Sequence, residues 1–529
     1  MANRPVVNRP VVNRPVADRP VADQPVVNRP VVSQPVPNQP VPNRPVANRP
    51  VPNRLQAIMV ITLAMISVFT LGAGAAVATL MPARLALWNI PRVASRPPAA
   101  ASHALAGAPS SAPVPTSRGL AAALSGVLGS GTLGKQAGAE VIDPVTGRVL
   151  YTQGASTPIQ PASTTKLATA VAALDVLGPS ARFTTRVVAG ASPGSIVLVG
   201  GGDPTLAAGP VPASNYPQPA TLKALAAATA RALRAQGRHT VRLGYDTSLY
   251  TGPPLAPGWP VSYITTGNVT AITPLEVDQG RLTLGGAPQD ADDPGNFRPR
   301  SADPAGQAAG AFAAFLGADG IRVTGQAAPQ KAAAHAAALA TVSSPPLSAI
   351  VGWMLRESNN VIAENLARQV ALHEGRPASF SGAAAAVTAV LRRLGVPGGI
   401  RLVDGSGLSP ADRIAPAVLA HLVSLASAGT QGGLRAAITG MPVAGFSGTL
   451  APGGSVFTGF SARSRGLIRA KTGNLSSVAT LAGLVYDASG RVLAFAFMTD
   501  QVRPANLGRA AAGLDRMASA LAGCGCRTR

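Results

Sequence analysis

Cysteine, histidine, lysine and aromatic side chains are all scarce in this chain of 529 residues, and so is acid. The two cysteines, Cys524 and Cys526, sit in a C-terminal Cys-Gly-Cys. A bridge across one residue is geometrically poor, so no disulfide framework is implied; their function stays open, with surface thiols the plain reading. Five histidines (His103, His239, His335, His373, His421) show neither metal-ligand spacing nor a Gly-x-Ser-x-Gly partner. That argues against a metal site and against histidine-assisted serine chemistry, and no cofactor is expected. Aromatics at 4% are too few for nucleic-acid stacking platforms, and no nucleic-acid motif is present. The glycine run 200–202 is not followed by Gly-Lys-Ser/Thr, so it is no phosphate loop. Twenty-two acids against 45 basic residues give a formal charge of +23, mostly arginine. Such a surface attracts anionic polymers, which outside a bacterial membrane means wall carboxylates and phosphates.

Residues 3–52 are ten pentads of the form x-Arg/Gln-Pro-Val-x. Proline at every fifth position forbids a continuous helix and removes sheet donors, so residues 1–54 read as a disordered tail with polyproline II character. Residues 55–81 carry no charge and are rich in Ile, Val, Leu, Met and Ala. That run exceeds the roughly 20 residues a bilayer-spanning helix needs and reads as an uncleaved transmembrane anchor. Eight arginines precede it, against Arg84, Arg92 and Arg96 just beyond. The bias predicts a single-pass protein of the bacterial cell membrane, with the tail cytoplasmic and the rest extracytoplasmic. The tail reads as a solvated low-complexity segment, with docking to an unknown cytoplasmic partner as the alternative. Residues 82–118, rich in Pro, Ala and Ser, read as a linker.

The chemistry lies in three short motifs in order: Ser163-Thr164-Thr165-Lys166, Ser358-Asn359-Asn360 and Lys471-Thr472-Gly473. Of five lysines in the chain, two complete these motifs. Serine needs a base within hydrogen-bond reach, and spacing i to i+3 on a helix sets Ser163 beside Lys166. Lysine serves as base only when burial or a neighbouring cation lowers its pKa, and Lys471 is a candidate for that cation. Ser358 would relay a proton to the leaving amine, and Asn360 would offer its amide to a substrate carbonyl. Lys471 and Thr472 suit a substrate carboxylate, with Gly473 allowing close backbone approach. The backbone N–H groups of Ser163 and Asn474 are the candidate oxyanion donors. Each motif alone is weak, because Asn-rich helix starts and charged strand ends are common; the ordered set is not.

Hydrophobic periodicity predicts a helix at 119–133, strands Ala139 to Asp143 and Arg148 to Thr152, and a helix from Lys166 to Leu177. A further helix runs from Val361 to Val370. Three strands follow between Gly466 and Thr499, then a last amphipathic helix from Asn506 to Ala522. Helix, strands, an all-helical middle, strands and a final helix argue for an α+β fold, an antiparallel sheet flanked by helices. The catalytic domain is predicted at 119–189 and 341–523. Residues 190–340, with many Gly, Pro and Asp turns and short β-type runs (Ser195 to Val199, Thr240 to Gly244, Arg281 to Leu284), read as a β-rich inserted domain.

Residues 119–523 resemble the class C low-molecular-mass penicillin-binding proteins, the D-alanyl-D-alanine carboxypeptidase/endopeptidase family. The likeness rests on the three motifs, on Val199-Gly200-Gly201-Gly202-Asp203-Pro204-Thr205-Leu206, on Asp404-Gly405-Ser406-Gly407-Leu408-Ser409 and on the stretch from Met441 to Leu450. The 195 residues between Ser163 and Ser358 fit that family's large insertion rather than a compact β-lactamase. The resemblance implies a penicillin-binding/β-lactamase-like fold and hydrolysis of peptidoglycan stem peptides through a Ser163 acyl-enzyme. It also implies covalent capture by β-lactam antibiotics. Carried over, Ser163 is nucleophile, Lys166 base, Ser358 relay, Asn360 substrate-binding, and Lys471 with Thr472 the carboxylate clamp. Asn474 departs from the threonine usual in the family. The alternatives are a β-lactamase or esterase on the same scaffold, and a catalytically idle wall-binding scaffold protein.

Overall fold

The computed structural model describes residues 112–283, 297–428, 432–453 and 456–525. The pentad tail, the 55–81 segment and nearly all of the linker lie outside the described residues. Among the described residues no helix is long and apolar enough to cross a membrane.

Helix α1 (Ser117–Leu128) opens the described chain, capped by the Thr116 hydroxyl and burying Leu120 and Leu124 at i, i+4 spacing. Strands β1 (Gln136–Asp143) and β2 (Arg148–Gln153) follow, then α2 (Thr165–Leu177). The next stretch runs through β3 (Thr184–Ala189), β4 (Ser195–Val199), α3 (Leu222–Ala235), β5 (Thr240–Asp246), α4 (Pro304–Ala318) and β6 (Ala338–Ser343). Four longer helices succeed it, α5 (Leu347–Arg356), α6 (Asn360–His373), α7 (Phe380–Arg393) and α8 (Pro416–Ser427). The chain closes with β7 (Ile468–Leu475), β8 (Val478–Tyr486), β9 (Val492–Asp500) and α9 (Leu507–Ala522).

The catalytic sheet is antiparallel, in the order β7-β8-β9-β1-β2. Its central pairing, β1 against β9, joins Gln136 to Asp500 and so ties distant parts of the sequence together. Alternation along β9 sorts side chains by size. Leu493, Phe495 and Phe497 pack under α1 and α9, while Ala494, Ala496 and Met498 meet the helical layer that includes α2 and α8. Small residues on the second face let α8 approach the sheet closely.

The stretch between α2 and α5 builds a second sheet in which β3 pairs antiparallel with β4 and β6, and β4 pairs parallel with β5. Its edges, Thr184 and Ser343, reach past the expected limits of 190 and 340, because the entering and leaving strands lie side by side. The expectation of a β-rich insert needs correction in two respects. Helices α3 and α4 cover this sheet with Leu225, Leu233, Phe312 and Leu316, behind the Thr221 and Asp303 N-caps. The expected strand from Arg281 reduces to one bridge, Arg281 to Arg300. Asp278, Gln279 and Gly280 take positive φ (49°, 57° and 69°), which coils the chain just where a strand would start. At the C-terminus Cys524 is disulfide-bonded rather than a free surface thiol.

One ion pair pins the two turns at the same end of the sheet. Arg491 donates from Nη2 to Asp143 Oδ1 (2.8 Å) and Oδ2 (2.6 Å), with both side chains buried. Arg491→Met strands the Asp143 carboxylate and is expected to cost about 3–5 kcal/mol of unfolding free energy. Urea denaturation checks this, and Asp143→Asn in the same background is expected to recover part of the loss.

Candidate active site

Ser163 occupies a single 3-10 turn, Ala162–Thr164, at the head of α2. The turn is strained, with Ala162 at φ 48°. It is held by its carbonyl at Pro161, which accepts from Thr164 Oγ1 (2.7 Å) and from Thr480 Oγ1 on β8 (2.8 Å). Two glycines make room for it. A Cβ on Gly473 would lie 2.7 Å from Pro161 O and 3.1 Å from Ser163 N, so only glycine lets β7 approach the nucleophile. A Cβ on Gly407, at φ 85°, would collide with the Ala162 carbonyl.

Lys166 lies one helical turn beyond Ser163 and is fully buried. Its Nζ donates to Ser163 Oγ (3.0 Å), Asn360 Oδ1 (2.7 Å) and the Ser406 carbonyl (2.8 Å). All three acceptors are neutral, so none offsets the loss of water. Burial therefore pulls the amine from 10.5 down to about 7, against the opposing pull of Asp404, Glu364 and Asp412. Lys471 is equally buried, and its Nζ donates to Ser358 Oγ (2.8 Å) and Thr472 O (2.7 Å). Its pKa falls well below the usual value, first through burial and then through Lys166. Lys471 was the candidate cation for lowering Lys166; in the structure burial alone lowers it, and the charge effect runs the other way, from Lys166 onto Lys471.

Ser358 sits at φ 55° in the bend between α5 and α6, which turns its hydroxyl to Lys471. Asn359 caps α6 by accepting from Ile362 N, and Asn360 opens that helix. The Asn360 amide bridges parts of the site, because Oδ1 accepts from Lys166 while Nδ2 donates to Asn268 O (2.9 Å). One of its two amide hydrogens is thus directed at the protein rather than at a substrate. Thr472 Oγ1 lies 2.8 Å from Thr449 Oγ1, so two hydroxyls meet at the expected carboxylate position. On β7 the Ala470 N–H leaves the sheet to reach Pro442 O. Strand alternation then aims the Thr472 and Asn474 N–H groups at the same open edge.

These residues line one cleft of about 450 Å³, with Ser163, Ser358, Asn360, Thr449, Thr472 and Asn474 on its walls. Asn268, Phe297 and Arg300 reach it from the stretch that carries the second sheet. Sequence reasoning missed the support beneath Lys166. The Asp404–Ser409 loop presents Ser406 O to the amine because Asp404 gathers the N–H groups of Ser406, Gly407 and Ser409, and the Trp259 indole. Glu364 on α6 accepts from Gly405 N and Ser406 N. Burial and the neighbouring Asp404 raise Asp412 to about 10 and Glu364 to about 7. Asp412 therefore stays protonated beside Asp404. The only signal in sequence was the Asp-Gly-Ser-Gly turn, which says nothing of a base support until α6 is placed against it.

A serine hydroxyl within hydrogen-bond reach of a buried lysine amine, beside a polar edge strand, is the arrangement expected of a serine acyl-transfer enzyme, here on a penicillin-binding/β-lactamase-like α+β scaffold. The crystal structure of penicillin-binding protein 4 from Haemophilus influenzae has the same fold, with a TM-score of 0.59 and 23% identity, covering 74% of this chain and 98% of its own. More narrowly, residues 120–298 and 277–521 match the D-Ala-D-Ala carboxypeptidase 3 (S13) family, and the chain belongs to it. Carboxypeptidase DacB of Mycolicibacterium smegmatis is 39% identical over 432 residues, 81% of this chain and 89% of its own length. A carboxypeptidase of Mycobacterium tuberculosis is 38% identical over 422 residues, 79% and 86% of the two chains.

With Lys166 near 7 and active as the free amine, the second-order rate of Ser163 acylation should rise with pH and level off above about 7. Below that value it should fall about tenfold per pH unit. Stopped-flow acylation between pH 5 and 9 checks this; a flat profile would show that Lys166 does not take the proton.

Proposed function

We infer that the protein is a serine D-alanyl-D-alanine carboxypeptidase of peptidoglycan, working through a Ser163 acyl-enzyme. The observation that carries this is the 3.0 Å hydrogen bond from a fully buried Lys166 amine, with no carboxylate bonded to it, to Ser163 Oγ. Membership of the carboxypeptidase family supports the substrate class.

Ser163 Oγ attacks the carbonyl of the penultimate residue while Lys166 Nζ takes its proton. The N–H groups of Ser163 and Asn474 hold the oxyanion. Ser358 relays that proton from Lys166 to the leaving nitrogen, giving up its own hydroxyl proton as it takes one, so the amide bond breaks, Lys166 returns to the free amine and terminal D-alanine departs. Its carboxylate is held meanwhile by Lys471, Thr472 and Thr449, and an anion there restores the charge on the neutralised Lys471. Asn360 keeps the Lys166 amine aimed and offers its remaining amide hydrogen to the substrate backbone. Water then hydrolyses the ester, with Lys166 acting again as base. A β-lactam presents both the reactive carbonyl and the carboxylate, so it enters as substrate and stays as a slow ester. We further place the enzyme outside the bacterial membrane, anchored by 55–81 with its N-terminus cytoplasmic. The uncharged run and the arginine bias support this. Residues 190–340 would act as a separate insert that contributes one wall of the cleft.

Incubation of the full chain with benzylpenicillin should give a one-to-one mass adduct that Ser163→Ala abolishes. Penicillin destroyed without an adduct would mean a β-lactamase; neither outcome would mean an idle scaffold. Labelling of intact cells with a membrane-impermeant penicillin should succeed without lysis if the catalytic part is external, and labelling only after lysis would contradict that placement.

A further inference from the structure

The Ser358-Asn359-Asn360 motif is gripped from outside the catalytic sheet and its helices. Asn268, in the stretch between α2 and α5, accepts from Asn360 Nδ2 through its main-chain carbonyl (2.9 Å). Gln279, in the same stretch, accepts from Asn359 Nδ2 through Oε1 (2.8 Å). Arg300 ties the two holds together, because its Nε donates to Gly267 O (3.0 Å) and its Nη1 to Gln279 O (2.8 Å). Gln279, Arg300 and Asn359 are all buried. The donor and acceptor ends at Gln279 are fixed by chemistry. A guanidinium can only donate, and Arg281 Nη1 lies 3.0 Å from the Gln279 atom that meets Asn359, so that atom is the carbonyl oxygen. Asn359 must then present Nδ2 to it, which leaves Oδ1 to accept from Ile362 N (3.0 Å) and cap α6. Gln279 Nε2 is buried with no partner among the described residues, so the hold is made by the oxygen alone.

The backbone accepts strain to put that oxygen there. Asp278 and Gln279 both take left-handed φ, 49° and 57°, which non-glycine residues rarely adopt. Bonds on the far side lock the turn: Asp278 N donates to Leu206 O (2.9 Å), and Asp278 Oδ1 accepts from Ala208 N (3.2 Å). Two such residues in succession persist only where their surroundings over-determine them, and these face a motif of the active site. The route from there to the chemistry is short. Asn359 sits between Ser358, which accepts from Lys471, and Asn360, whose Oδ1 accepts from Lys166.

We propose that Gln279 is a positioning residue for acylation: by holding Asn359 it fixes the head of α6, and with it the Asn360 acceptor that aims the Lys166 amine at Ser163. The stretch between α2 and α5 is then part of the catalytic frame and not only a wall of the cleft. The proposal rests on the reading of Lys166 as base given above.

The test follows acylation of the full chain by benzylpenicillin in stopped flow, resolved into the dissociation constant of the first complex and the acylation rate constant. Gln279→Met, which keeps the side-chain length and removes the acceptor, should lower the rate constant by about 10- to 100-fold and change the dissociation constant much less. Gln279→Glu keeps an acceptor for Asn359 and Arg281 and should recover most of the rate. Asn359→Ser keeps a hydroxyl to cap α6 but loses the donor to Gln279, so it should reproduce the loss. Adding Gln279→Met to Asn359→Ser should then cost nothing further. Losses that multiply in the double variant would overturn the proposal, because Gln279 would then act by some route other than Asn359. A full rate in Gln279→Met, or a loss confined to the dissociation constant, would also overturn it. Should Gln279→Met fail to fold, an unaltered rate in Asn359→Ser overturns it alone. Failure of the parent reading is separately visible, as absence of any penicillin adduct with the wild-type chain.

Discussion

The structure depends on burying one lysine amine among neutral acceptors. A drop for Lys166 from 10.5 to about 7 corresponds to a penalty of roughly 5 kcal/mol on the charged form compared with water. Serine, asparagine amide and main-chain carbonyl orient the amine without stabilising its charge. A carboxylate in any of those three places would give an ion pair and hold the amine charged. The acids are nevertheless near. Asp404, Glu364 and Asp412 sit one layer below, their charge engaged by backbone N–H groups or quenched by a shared proton. They build the loop that presents Ser406 O, and their opposing pull on Lys166 is outweighed by burial.

Around that amine the fold acts as a set of spacers. The β1–β9 pairing closes the sheet from two ends of the described chain. Gly473 lets β7 come up to the nucleophile turn, and Gly407 lets the Asp404 loop come up from the other side. Ser358 and Ala162, both at positive φ, carry the local strain, and each adjoins or forms part of the reacting constellation. Two buried lysine amines on facing elements, each bonded to a serine hydroxyl, form the floor of the cleft, with a polar edge strand as one wall.

The catalytic sheet was legible because its strands alternate cleanly and its turns carry Gly and Asp at the right places. Val478 to Tyr486 and Asp487-Ala488-Ser489-Gly490 read directly as strand and hairpin. The three motifs were legible because lysine is rare enough for two of five to stand out. Helices α3 and α4 were not, since their alanine-rich runs sit among Gly, Pro and Asp turns that read as β structure. Residues 278–280 defeated the strand expectation at Arg281 through left-handed backbone that propensity does not report. The acid layer under Lys166 was hidden for a different reason. Glu364, Asp404 and Asp412 reach it from α6 and from the loop beyond α7, and only the packing of α6 against α2 brings them together. The same packing showed that Asn360 serves Lys166 as well as the cleft.

Selective ¹⁵N labelling of lysine makes the central claim directly measurable, because Lys135, Lys166, Lys223, Lys331 and Lys471 are the only five amines of their kind in the chain. The account predicts one Nζ resonance titrating near 7 in the free enzyme, absent from Lys166→Arg. Five amines all titrating in the ordinary lysine range near ~10.4 would contradict it, since Lys166 would then be a cation at neutral pH and no base for Ser163.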